Sequence, residues 1–412
     1  MCTLLRVSID VQCRPTRVDR QARVAGAALF LTNGALFANL IPRFPEIKAN
    51  IGIENAVYGL ALAAFPTGAF LAGVTAAMLV RRFGSAKVAV AGTVLMGLGA
   101  VVAGLAPSTI AFMVGLFFAG SMDAITDVAQ HVHGMRVQRR YGRSIMNFFH
   151  AVWSIGAILG GSMAAGAITL GLPVSAHLGL SAVVFSTVSV IALRFCLPGR
   201  EEVTGAKVGT DTERPRTPPR SGIRPRTMLM IGALVLIAVA GTSVEDAGNS
   251  WASLYLSSSL QAPAALAATG YVALVSGQFL GRIFGDRLVD RYGQRAVARV
   301  GGLITAVGMG SMLAFPTIPG TVLGFGLAGL GVATLVLTTL NEADELPGLR
   351  PGTGLTVVSW LMRLGFLLCP PVVGLIADAT ELRIGLLVVP VMGALVIVLA
   401  GVLRTRQERR VF

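Results

Sequence analysis

Along this chain of 412 residues, apolar runs alternate with short polar breaks twelve times. The runs centre on Phe30, Gly68, Leu95, Phe118, Ala157, Val184, Leu236, Val272, Thr305, Gly326, Leu364 and Val391. A bilayer core about 30 Å thick needs about 20 apolar residues of α-helix, at about 1.5 Å of rise each. Each run meets that length, so the pattern predicts twelve membrane-spanning helices and an all-α fold. Composition agrees: 54% of residues are hydrophobic and only 13% charged, against about 25% charged in a soluble domain. The 50 glycines fit as well, because small residues let helices approach closely in lipid.

The formal net charge of +14 would suit a nucleic-acid binder, but its distribution points to topology. With the N-terminus placed in the cytoplasm, the breaks after even-numbered spans and both chain ends carry nearly all the Lys and Arg, including Arg404, Arg406, Arg409 and Arg410. The opposite side receives Arg43, Lys48 and Arg383, while Arg282 and Arg363 fall inside spans. That bias predicts an inner-membrane protein with both termini cytoplasmic, attracted to anionic lipid and making no use of nucleic acid. Residues 1–22 carry charge too early for a secretory signal and read as a cytoplasmic arm. Cys2, Cys13, Cys196 and Cys369 form no disulfide framework.

The longest polar break, residues 197–226, contains Arg214-Pro215-Arg216-Thr217-Pro218-Pro219-Arg220. Proline and like charges oppose a packed core, so this is a cytoplasmic linker between six-helix units at 23–196 and 227–404, with a tail at 405–412. The units echo each other. Arg81-Arg82-Phe83-Gly84-Ser85-Ala86-Lys87 follows span 2, and Asp290-Arg291-Tyr292-Gly293-Gln294-Arg295 follows span 8. Gly84 and Gly293 are 209 residues apart, as are Gly156 of span 5 and Gly365 of span 11. One offset at two distant points predicts a duplication, parallel because six spans preserve orientation.

The basic loops after spans 2 and 8 resemble motif A of the major facilitator superfamily. The second copy matches well; in the first, Arg81 stands where the family has Asp, while Gly84 and Lys87 remain. Within that superfamily, Ile41-Pro42-Arg43-Phe44-Pro45-Glu46-Ile47, Asp127-Val128-Ala129, Phe149-His150-Ala151-Val152-Trp153-Ser154-Ile155-Gly156 and Gly285-Asp286-Arg287-Leu288-Val289-Asp290-Arg291 resemble a bacterial branch of rhizopine-transport-like and fucose-permease-like proteins. The resemblance implies two pseudo-symmetric six-helix bundles around a central cavity. It also implies an inner gate built from Arg82, Gly84, Lys87, Arg282, Asp286, Asp290, Arg291, Gly293 and Arg295. Independently of family, Gly293 permits a tight turn, and Asp290 suits the N-terminal end of a neighbouring helix.

Ionisable groups at membrane depth are rare and face the bundle interior or a wet cavity. Span 4 runs inward from about Thr109, which puts Asp123 about 21 Å and Asp127 about 27 Å along it. Asp123, Asp127 and His131 share one helical face, and His150 enters from the first turns of span 5. These four are the proton-coupling candidates. The alternative is an inner-gate network in which Asp127 meets Arg136, Arg139, Arg140 or Arg143. Arg363, near the middle of span 11, needs an acidic partner or an anionic ligand, whereas Arg282 is expected to pair with Asp286 or Asp290. Asn33, Asn39, Glu245, Asp246, Trp251 and Gln278 complete the substrate-cavity candidates. For Trp251 and Tyr255 the competing account is anchoring at the membrane interface.

No metal-ligand spacing, cofactor motif or enzyme signature occurs; Walker A, Gly-x-Ser-x-Gly and His-Glu-x-x-His patterns are all missing. The expectation is a monomeric, proton-coupled secondary transporter of a sugar, cyclitol or related polar metabolite. Efflux of drugs or metabolites by the same fold is the first alternative. A receptor or assembly partner that does not transport is the second. A cavity lined by Asn33, Gln278 and Trp251 would favour uptake, and one lined by Met and Phe would favour efflux.

Overall fold

The computed structural model describes residues 16–142, 145–199, 225–346, 349 and 353–403, apart from the side chain of Asp286. Most of the expected arm, Arg143, the middle of the linker and the tail lie outside that range. Among the described residues, twelve helical segments are long and apolar enough to cross a membrane: Arg17–Ile51, Asn55–Phe83, Ser85–Gly104, Thr109–Tyr141, Met146–Thr169, Val174–Leu193, Pro225–Ser259, Ala264–Gly285, Gln294–Ala314, Ile318–Asp344, Thr353–Ala379 and Leu382–Val402. They are spans 1 to 12. No strand occurs among the described residues. The even number brings Thr16 and Leu403 to one face, the inner face in the expected orientation.

Local chemistry fixes the helix ends that matter. Thr16 and Asp19 close a capping box at the start of span 1, and Arg140 from span 4 reaches the same carboxylate at 3.1 Å. The tight turns after spans 2 and 8 use Gly84 at φ 85° and Gly293 at φ 85°, a region where a side chain is strained. Each glycine N–H donates to a carbonyl four residues back, Val80 and Val289, both at 2.8 Å.

The duplication is built into the packing. In the first half, Gly68 abuts the carbonyl of Phe117 and Gly120 abuts that of Phe65, which lets spans 2 and 4 touch backbone to backbone. In the second half, Gly277 abuts Gly326 and Gly329 abuts Leu274, joining spans 8 and 10. All four positions keep the offset of 209. Gly156 rests likewise on Leu31 of span 1, and Gly365 on Val239 and Thr242 of span 7. Close approach of this kind supplies the dispersion contacts that hold helices together where lipid is as apolar as leucine.

Between the halves, contact concentrates towards the outer face. Tyr58 donates its hydroxyl to the Ser250 carbonyl at 3.0 Å and meets the Trp251 ring edge-on at 5.2 Å. Asp378 at the end of span 11 accepts the backbone N–H groups of Asn55 (3.0 Å) and Ala56 (2.6 Å), the first turn of span 2. A carboxylate there satisfies orphan donors and meets the positive end of the helix. Gly59 lies against the carbonyl of Pro370, and Gly374 against that of Asn55. Gly161 of span 5 lies likewise against Tyr271 and Val272 of span 8, so spans 2 and 5 close against spans 7, 8 and 11.

Candidate functional site

Beneath that seal lies a cavity of about 370 Å³, lined from spans 1, 2, 4 and 5 on one side and 7, 8 and 11 on the other. Its walls obey the same offset of 209. Phe37 corresponds to Asp246, Ile41 to Ser250, Leu62 to Tyr271, Pro66 to Val275, Ala69 to Gln278, Trp153 to Met362 and Ala157 to Phe366, and all fourteen line the cavity. Two quasi-equivalent frames have therefore been furnished differently. The first half presents mostly apolar surface at these positions, and the second has placed a carboxyl, hydroxyls and an amide there.

The first half contributes one polar feature. Trp153 donates its indole N–H to Asn33 Oδ1 at 2.8 Å, and Asn33 Nδ2 donates to Asp123 Oδ1 at 2.9 Å. The indole fixes which end of the Asn33 amide is acceptor, so the amide nitrogen is aimed at the carboxyl. Spans 1, 4 and 5 are tied at one level by this chain of three residues, and no arginine or lysine among the described residues bonds to Asp123.

In the second half, Ser250 donates to Asp246 Oδ2 at 3.3 Å one turn along span 7. Glu245, Asn249 and Gln278 also line the cavity. Span 11 is interrupted at Met362, and its second helix begins with Arg363. The Met362 carbonyl, which also accepts the Gly365 N–H at 3.0 Å, accepts Thr242 Oγ1 from span 7 at 2.9 Å. Arg363 is exposed into the cavity.

Towards the inner face stands a second polar group. His131 Nδ1 sits 2.8 Å from the Asp127 carbonyl and 3.2 Å from its Oδ1, and His131 Nε2 sits 3.1 Å from His150 Nε2. The three residues form a hydrogen-bonded row across spans 4 and 5. Asp127 and His150 are exposed, so the row borders the open, inner side of the molecule. Phe30 meets both imidazoles edge-on and closes its floor.

The structure brings together Asn33, Asp123, Glu245, Asp246, Gln278 and Arg363 in the cavity. Asp127, His131 and His150 lie apart from it, below Asp123. Two cavity candidates belong elsewhere. Asn39 is fully buried inside the first half, accepting from Ser181 at 3.1 Å with His177 Nε2 at 2.8 Å; Arg43 Nε reaches His177 Nδ1 at 3.3 Å. It faces span 6 rather than the cavity because six residues of continuous α-helix turn it about 120° away from Asn33. Trp251 is wholly buried in the outer seal against Tyr58, which places it neither in the cavity nor at a lipid interface; Tyr255 is buried too.

The inner gate candidates are differently arranged from the expectation. Arg282 reaches across to Ser154 Oγ of span 5 at 3.4 Å instead of pairing with Asp290, and the side chain of Asp286 lies outside the described set. Arg136 donates to the carbonyls of Leu197, Pro198 and Gly199 at the end of span 6, and Arg140 to Asp19, so Asp127 meets His131 rather than these arginines. Arg295 donates to the Leu403 carbonyl at 2.8 Å, while Arg82 and Arg291 lie over the adjacent Phe83 and Tyr292 rings. Lys87 and Asp290 are exposed at the inner ends of their halves. Trp153 and Tyr271 were not among the expected cavity residues, whereas Asn249 and Ser250, which follow Asp246 in a polar patch suited to a sugar-like ligand or an outer gate, do line it. The offset of 209 was the available signal for Tyr271, since it maps it onto Leu62, but only tertiary packing says which face of each helix looks inward.

The family model described as Major Facilitator Superfamily matches residues 26–283 and 246–411. The uncharacterised transporter y4wD of Sinorhizobium fredii is 29% identical over 92% of this chain and 97% of its own length. The membrane protein MosC of Rhizobium meliloti is 28% identical over 90% of this chain and 88% of its own. Among solved structures, that of the nucleoside transporter NupG superposes with a TM-score of 0.69 at 12% identity, over 94% of this chain and 98% of that one. At that identity the likeness speaks for the fold alone.

Proposed function

This chain belongs to the major facilitator superfamily, and we propose that it is a proton-coupled secondary transporter that takes up a small, hydrogen-bonding solute by alternating access. The observation that carries the proposal is the row Trp153–Asn33–Asp123 in the wall of a cavity sealed towards the outer face. A carboxyl held by a neutral amide, without a cation, has a charge that depends on whether water reaches it. Coupling requires a group whose proton binding differs between two conformations, and alternation of access supplies that difference. The Asp127–His131–His150 row lies between Asp123 and the open side, where a proton would leave. The polar wall of Asp246, Asn249, Ser250 and Gln278 suits the hydroxyls of a sugar, cyclitol or related metabolite, which favours uptake over export of apolar drugs.

The test is Asp123→Asn in purified protein reconstituted into liposomes. The amide keeps the shape and removes the titration. Accumulation driven by a proton gradient should disappear while solute counterflow persists. If Asp123→Asn accumulates solute like the parent protein, and Asp127→Asn does too, proton coupling through span 4 is wrong. Apolar drugs pumped out of cells in place of polar solute entering would favour the export reading, for which the apolar wall of Phe37, Phe65 and Leu62 is the supporting observation.

A further inference from the structure

We propose that the solute is zwitterionic, its acid group held by Arg363 and its amine by Glu245; the proposal rests on the cavity being the transport site. Both side chains line the cavity, and neither makes a hydrogen bond or ion pair with any described residue. Three other cations at or near the spans have partners. Arg43 contacts Glu46, His177 and the Leu172 carbonyl, Arg282 reaches Ser154, and Arg383 donates to two carbonyls of span 9. The two other cavity carboxyls also have partners, Asp123 in Asn33 and Asp246 in Ser250.

The register makes the missing pair informative. Thr242 bonds to the carbonyl of Met362. Arg363 is the next residue on span 11, and Glu245 stands three residues beyond Thr242 on span 7, about 4.5 Å further along the axis. Opposite charges on neighbouring helices, within one turn of each other, remain apart. Arg363 is hydrated while the cavity stands open, and both charges need an answering group once it closes and water is excluded. A zwitterion bridges them at once. A neutral polyol leaves both unmatched, an anion is repelled by Glu245, and a cation is repelled by Arg363. The cavity thus selects against singly charged analogues as well as for the doubly charged one. Gln278 and Asn249 remain for hydroxyls, and Phe37, Leu62 and Phe65 face the carbon skeleton.

The experiment measures binding to the full chain in lipid nanodiscs, read by tryptophan fluorescence from Trp153, so that no transport is required. Two matched probe sets are used. One is γ-aminobutyrate, 4-hydroxybutyrate, 4-aminobutanol and 1,4-butanediol; the other is glucosaminate, glucuronate, glucosamine and myo-inositol. In at least one set the zwitterion should bind about ten- to a hundredfold more tightly than its three companions, the worth of one charge-assisted hydrogen bond. Arg363→Gln should weaken the zwitterion and, by removing the repelling cation, tighten the amine, so that the zwitterion loses its advantage over the amine. Glu245→Gln should weaken the zwitterion and, by removing the repelling carboxylate, tighten the acid, so that the zwitterion loses its advantage over the acid. The proposal is overturned if a neutral or singly charged probe binds as tightly as the zwitterion, or if no probe binds. It is also overturned if both variants weaken every probe alike, as they would if the two residues pair only with each other in another conformation. Failure of proton coupling is separable, because it would appear as accumulation by Asp123→Asn whatever class of probe binds.

Discussion

Replacing Gly374 by alanine tests how the outer side closes. A Cβ on Gly374 would run into the Asn55 carbonyl oxygen and lie 2.9 Å from its carbon and 3.0 Å from Ala56 Cα. Every one of those atoms is backbone, and every one belongs to the other half. The methyl therefore strains the joint between the halves and nothing within either bundle. Overpacking against atoms that cannot turn aside costs about 1–3 kcal/mol. Because that cost falls on the outer-closed state alone, it shifts the balance towards an outer-open state by about 5- to 150-fold. The assay places a single cysteine at Ala69, which lines the cavity, in a background without the four native cysteines. A membrane-impermeant maleimide is then added to the outer side of oriented vesicles. Gly374→Ala should label faster by that factor. Gly166→Ala is the control, since nothing lies within 4 Å of its added methyl. If Gly374→Ala folds and labels no faster than this control, the contact between spans 2 and 11 is not what closes the outer side.

Asn39→Ala should lower thermal stability by about 1–3 kcal/mol, because His177 and Ser181 lose a buried partner, yet leave solute binding within twofold. Melting and binding measured on the same preparation check this; selective loss of binding would return Asn39 to the cavity. A reporter fused after Arg410 should be active only on the cytoplasmic side, and activity on the other side would invert every inner and outer assignment.

Much of this protein was legible in its sequence because lipid imposes a one-dimensional rule. A span must satisfy its own backbone hydrogen bonds over about 20 apolar residues, so length and hydropathy alone disclose twelve helices. The duplication was legible for a similar reason: the turn glycines Gly84 and Gly293 have no substitute at φ 85°, and Gly156 and Gly365 sit where a side chain would meet a neighbouring helix. Intramembrane charge was legible as a list, because any such residue is costly.

Which charges meet was not legible. Asn33 and Asn39, six residues apart on one continuous helix, point about 120° apart, and which direction meets the cavity depends on where the other spans present Asp123, Trp153 and His177. Trp251 and Trp153 look alike as aromatic residues in apolar runs; one seals the outer joint and the other orients Asn33. Arg282 lies one turn from Asp286 and two from Asp290, yet it reaches a serine on the opposite half. Such choices depend on helix rotation and on the pairing of remote spans, which a period of 3.6 residues leaves open. The sequence by itself determined the number, length and repeat of the helices through their separate dealings with lipid. Only the tertiary structure decided which faces look inward, because a side chain's partner lies on another helix, and the rotation that brings them together is a property of the packed whole.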